Sequence, residues 1–148
     1  MSIQEAIDQY FLSLTPQKQS EIKLLHLEIL TWLPNCQLWY ESGLDVNNKV
    51  VSNPNIGYGE YTIHYANGGS RKFYQIGLSA NSMGISVYIM GIKDKFDLQS
   101  FLKNRIGKAK VTGYCIKFKS LNDINMNILK EAIIEGQKCS SNEPSSPR

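Results

Sequence analysis

Histidine and cysteine are scarce in this chain of 148 residues, two of the first and three of the second. Cys36, Cys115 and Cys139 stand 79 and 24 residues apart, with no Cys-x-x-Cys pair and no histidine at ligand spacing. That excludes a disulfide framework and a zinc site of the usual kind. No apolar run approaches the roughly 20 residues a spanning helix needs, so no membrane partner is expected. The first residues carry acids and lack a basic stretch followed by an apolar one, so they do not read as a secretory leader and a cytoplasmic location follows. There is no Gly-x-Ser-x-Gly elbow and no His-Glu-x-x-His. Neither His26 nor His64 has a serine or cysteine in a nucleophile setting, so no catalytic residue is assigned.

What is present fits one folded domain. At 42% hydrophobic and 20% charged residues the chain matches globular composition. At this length folding buries about 70% of the surface exposed by the unfolded chain, enough for a core without a metal or disulfide staple. The net charge of +3 is unevenly spread. Residues 98–122 hold no Asp or Glu and six cations, Lys103, Arg105, Lys108, Lys110, Lys117 and Lys119, while the first 60 residues stand at −4. Such polarity steers anions toward one side. No recognition helix or aromatic RNA-binding signature accompanies it, so the lysines read as solvated surface and nucleic acid is not expected as a partner.

Hydrophobic periodicity places the elements. Ile3, Ala6, Ile7, Tyr10, Phe11 and Leu14 recur at helical spacing. Thr15 and Pro16 are an N-cap and first position for a second helix, whose stripe Ile22, Leu25, Ile29 and Trp32 ends before Pro34 and is widened by Leu24, Leu27, Leu30 and Leu33. Residues 35–55 read as a loop or edge hairpin around Val50 and Val51, with Trp39 and Tyr40 capping the core. From Ile56 the period becomes two. Tyr61, Ile63 and Tyr65 alternate with Glu60, Thr62 and His64, turn at Asn67, Gly68 and Gly69, and pair with Tyr74, Ile76 and Leu78; Met83–Met90 adds the third strand of a meander. A helix over Asp94–Ile106, a strand over Gly113–Phe118 and a last helix capped at Asn122 or Asp123 and stopped by Gly136 complete the pattern. The expected class is α+β: an antiparallel β-meander sheet with N-terminal and C-terminal helices packed on one face, one domain over 1–138 and a disordered polar tail over 139–148.

Several segments together resemble one family. They are Asn55-Ile56-Gly57-Tyr58-Gly59-Glu60-Tyr61, Ile85-Ser86-Val87-Tyr88-Ile89-Met90, and Ile106-Gly107-Lys108 through Gly113-Tyr114-Cys115-Ile116-Lys117, followed by Leu121-Asn122-Asp123-Ile124. In order and spacing they are similar to the YdhG-like family, a domain of unknown function, over about Ile3 to Gly136. The resemblance implies helices on an antiparallel sheet. Because some members are described as frataxin-like iron chaperones, it also implies iron as a transiently bound cargo; otherwise no cofactor is expected.

Three candidate sites follow from the residues. Alternation puts Glu60, Thr62 and His64 on one strand face, with Gln75 and Tyr88 on neighbouring strands, a polar and aromatic face for a small ligand or protein partner. Glu60 and His64 lie about 13 Å apart at 3.3 Å per residue, too far to ligate one ion. Lys108 and Lys110, near Gly107 and Gly113, offer an anion site, although a helix C-cap and turn accounts better for those glycines. For iron, Glu5 and Asp8 share a helix face, whereas Glu21 and Glu28 are about 10.5 Å apart along their helix. Tyr- and Gly-rich edge strands leave a homodimer open.

Overall fold

A computed structural model describes residues 1–141. Ser2 caps α1 (Ile3–Leu12) through a reciprocal pair of bonds with Glu5, and Thr15 caps α2 (Pro16–Trp32) by accepting from the Lys18 N–H. Strands β1 (Leu38–Glu41), β2 (Asn55–Tyr58), β5 (Ile76–Asn81), β6 (Gly84–Ile89), β7 (Lys110–Val111) and β8 (Cys115–Phe118) form a six-stranded antiparallel sheet in the order β1-β2-β5-β6-β8-β7. Between β2 and β5 the chain makes a separate hairpin of β3 (Tyr61–His64) and β4 (Ser70–Phe73). The short α3 (Leu98–Leu102) and the long α4 (Met126–Ser141) complete the fold.

Register divides the sheet into two unlike faces. Tyr40, Ile56, Leu78, Val87, Ile116 and Val111 are consecutive cross-strand partners, and with Ile76, Ile85, Ile89 and Phe118 they form the face on which α1, α2 and α4 pack. Ile7, Ile22, Leu25, Ile29, Leu129 and Ile133 from those helices are fully buried against it, each adding roughly 1.5–3 kcal/mol in transfer free energy. The helices share one face, as the sequence pattern predicts. On the other face Ser79, Ser86 and Lys117 form one row, continued by Lys110, while Gly57, Gly77, Tyr88 and Cys115 form the next.

Several local expectations need correction. The strand beginning at Tyr61 does not pair with Tyr74–Leu78. Gly59 takes φ +80°, which breaks the run after Tyr58, and Tyr61, Thr62, Ile63 and His64 pair with Phe73, Lys72, Arg71 and Ser70. The neighbour of β5 is β2, so Tyr61, Ile63 and Tyr65 are not core residues. The phase also changes at Tyr74, whose ring lies over Gly57 and Gly77, opposite to Ile76 and Leu78; a Cβ on either glycine would meet that ring within 3 Å. Leu24 and Leu27 face solvent. The helix expected over Asp94–Ile106 is only α3, because Asp94 and Asn104 have positive φ and Asp97 provides the cap. Asn125, not Asn122 or Asp123, caps α4 by accepting from the N–H groups of Asn127 and Ile128.

Gly136 does not stop the last helix. It sits inside α4 because the helix crosses β6 there: a Cβ at this position would lie 2.2 Å from Ile89 Cγ2. Gly136→Ala therefore gains about 1 kcal/mol of helix propensity but overpacks a rigid β-branched side chain at a cost of about 1–3 kcal/mol. The expected result is a net loss of stability, read as a lower denaturant midpoint with unchanged m-value. Cys139 and Ser140 belong to this helix, Ser140 being buried, so the tail expected over 139–148 begins no earlier than residue 142; the rest of that segment lies outside the described residues.

A buried polar pair ties α2 to the sheet. His26 Nδ1 and the Tyr58 hydroxyl lie 2.7 Å apart, with Phe11 edge-on to the imidazole. Burial pushes the imidazole below its ordinary pKa, partly opposed by the Asp8 carboxylate. The unfolded chain therefore takes up this proton first. Stability is expected to be unaffected by His26 above pH of about 6.5, to fall as pH drops below it, and to level off once the lowered folded-state pKa is passed. His26→Leu would flatten that limb in urea titrations across pH 7 to 5.

Candidate anion-binding groove

The hairpin separates the residues expected to form one ligand face. Thr62 and His64 lie on β3 opposite Lys72 and Ser70, in a ladder separate from the main sheet. Tyr88 is on β6, paired with Cys115. Glu60 and Gln75 do meet, around a cavity of about 450 Å³ with Cys36, Gln137 and Ser141. Gln75 and Glu60 are both already engaged. The Gln75 amide donates to Ser140 Oγ (2.7 Å), Ser141 Oγ (2.9 Å) and the Gln137 carbonyl (3.2 Å), and Glu60 pairs with Lys72 at 3.3 Å. Burial pushes the Cys36 thiol upward, so it is not a ready thiolate at neutral pH.

The concentration of unpaired charge lies at another end of the sheet. A groove of about 680 Å³ is lined by the β5–β6 turn, the end of β8 and the approach to β7, and it receives Lys108, Lys110, Lys117 and Lys119 with the single acid Asp123. Alternation explains why they converge. Lys110 and Lys117 are direct cross-strand partners, and Lys117 is also opposite Ser86. Their Cβ atoms are thus about 4.5–5.5 Å apart, and like charges placed so are destabilising. Among the described residues none of the four lysines is in an ion pair; the pairs found are Lys72 with Glu60 and Arg105 with Glu131.

The lip of the groove is held in shape by its surroundings. Lys18 Nζ, from the first turn of α2, donates to the carbonyls of Asn81 (3.1 Å) and Gly84 (3.5 Å) and pins the β5–β6 turn. The Lys108 N–H donates to the Asp123 carbonyl at 2.9 Å, and Glu21 accepts from the Leu121 N–H at 2.9 Å, which anchors the segment behind it. Beneath the groove Asn81 Nδ2 donates to Ser86 Oγ at 3.3 Å, and Ser86 itself is buried, so it forms the floor. Of the six cations in the acid-free segment, only Lys108 and Lys110 were expected at an anion site, while Lys117 and Lys119 were expected as solvated surface. The signal was there: an acid-free segment in which two pairs of lysines are each spaced by two.

Beside the lysine row stands an aromatic one. Tyr114, half-exposed at 52%, stacks on Tyr88 with ring centroids 6.4 Å apart and planes at 24°. Tyr114 is also a wall of an apolar cavity of about 440 Å³ formed with Met90, Phe96 and Leu98.

The residues considered for iron have local roles. Glu5 closes the α1 cap, which holds its carboxyl below the usual range through the Ser2 backbone and hydroxyl bonds, and Asp8 accepts from Gln4 at 3.0 Å. Among the described residues no three His, Cys, Asp or Glu side chains converge as a metal site. Cys115 is buried, with its thiol pushed up by burial. No described helix is long and apolar enough to cross a membrane. Comparison with protein-family models, with curated proteins and with solved structures found no match to this chain.

Proposed function

We propose that this chain is a small, non-catalytic cytoplasmic binding domain of the YdhG-like kind, and that it receives an anionic small ligand in the lysine groove. The observation that carries the reading is the opposed pair Lys110 and Lys117, flanked by Lys108 and Lys119, with no carboxylate among the described residues paired to any of them. Clustered like charge lowers the stability of the free protein and is relieved when an anion enters, so the unfavourable arrangement becomes binding free energy. The volume falls in the range of small-molecule sites, and lysines suit a ligand of concentrated charge such as phosphate, which needs no planar fork.

The test is calorimetric titration of the full chain with inorganic pyrophosphate. Saturable binding that weakens steadily as sodium chloride is raised supports the reading. Absence of saturable binding at low salt overturns it.

A further inference from the structure

We infer that the ligand of the groove is a nucleoside phosphate unit, its phosphates held among Lys110, Lys117 and Lys119 and its ring against Tyr114. This rests on the reading of the groove as an anion site and adds to it the chemistry of the rest of the ligand.

The lysine row and the tyrosine row are neighbours on one sheet face. Ser86, which lines the groove, and Tyr88 are two residues apart on β6 and so point the same way; their partners on β8 are Lys117 and Cys115. The two rows are therefore about 6.6 Å apart along the strands, and Tyr114, in the bend before β8, joins the second row by stacking on Tyr88. The helices occupy the opposite face, where Ile85, Val87, Ile89, Ile116 and Phe118 are buried. The Tyr114 ring is half in water, steadied from one side by Tyr88. A rigid ring held at its edge, with an apolar cavity behind it and cations one row away, combines the two elements by which proteins hold bases and their phosphates. Inorganic phosphate would need only the lysines. A sugar phosphate would leave the ring and the apolar cavity without a purpose.

The same unit occurs in a free nucleotide and in a single strand of nucleic acid, and the experiment separates them. Full-length protein is titrated with pyrophosphate, adenosine diphosphate and a hexadeoxyadenylate strand, for the natural sequence, Tyr114→Ala and Tyr114→Phe. Tyr114 is exposed and its side chain makes no hydrogen bond among the described contacts, so both variants are expected to fold, which circular dichroism checks. The inference expects the diphosphate nucleoside to bind about tenfold or more tighter than pyrophosphate. Tyr114→Ala should remove most of that difference while pyrophosphate affinity stays unchanged, and Tyr114→Phe should retain it. A hexanucleotide that binds tighter than the nucleotide and loses affinity in Tyr114→Ala supports the unit and assigns it to a strand. Equal affinity for nucleotide and pyrophosphate, with no effect of Tyr114→Ala on any probe, overturns the inference and leaves the anion groove standing. If no probe binds, both readings fall.

Discussion

Lys117→Glu is expected to raise the stability of the free protein and to abolish most of its anion binding, two effects of opposite sign from one substitution. In the natural chain Lys117 faces Lys110 across the β7–β8 ladder. Glutamate there converts a repulsive cross-strand pair into an attractive one, a gain of about 0.2–1 kcal/mol that appears as a small rise in the unfolding midpoint. The same change places a negative charge on the groove floor beside Ser86, and repulsion of a multiply charged phosphate lowers pyrophosphate affinity by roughly ten- to a hundredfold. Lys117→Gln removes attraction without adding repulsion and should fall between. If Lys117→Glu destabilised the fold while leaving pyrophosphate binding intact, the lysines would be structural and the groove would have no role in binding.

Tyr58 gives the largest expected effect on stability. Its ring is fully buried where α2 meets the sheet, and its hydroxyl is bonded to His26. Tyr58→Ala empties that volume and costs about 3–5 kcal/mol, a large part of the 5–15 kcal/mol that holds a typical domain together. Tyr58→Phe keeps the ring and leaves His26 Nδ1 without its partner, at about 1–3 kcal/mol. Because the penalty belongs to an unsatisfied nitrogen, Tyr58→Phe combined with His26→Leu should cost less than the sum of the single changes. Urea unfolding of the four proteins checks this. An additive double variant would mean that the bond at 2.7 Å contributes nothing beyond its two side chains.

The sequence was most legible where a local rule has one outcome. Thr15 followed by Pro16 can begin a helix in only one register, and the structure starts α2 there. Along Ile85–Met90 the alternation assigns Ile85, Val87 and Ile89 to the core and Ser86 and Tyr88 to the other face, as found. It was less legible where the choice depends on partners distant in the chain. Tyr61, Ile63 and Tyr65 have the same period as a core strand, but period two states only that a strand has two faces. The backbone turn at Gly59 sends that strand into a hairpin of its own, and β2 takes its place beside β5. Gly136 misled for a similar reason. Glycine ends helices by its conformational freedom, yet here it is required by clearance against Ile89, a contact 47 residues away in sequence.

The candidate site was half visible. The acid-free run over residues 98–122 announced a basic surface, and Lys108 and Lys110 were marked within it. That Lys117 would stand directly opposite Lys110 depended on the β7–β8 register, and that Ser86 would join them depended on β8 pairing with β6 across an intervening helix. The polar face built from Glu60, Thr62, His64, Gln75 and Tyr88 failed to assemble because it assumed a meander that the hairpin interrupts. Of these residues only Tyr88 remains beside the groove, where its ring supports Tyr114.

The location of anion binding tests the account most directly. In a two-dimensional NMR titration of the isotopically labelled chain with inorganic pyrophosphate, the account predicts that the amide signals of Gly84, Ile85, Ser86, Lys108, Lys110, Lys117 and Lys119 shift together and saturate. Shifts centred instead on Glu60, Gln75 and Gln137, or on Glu5 and Asp8, would contradict it, as would a spectrum that does not change.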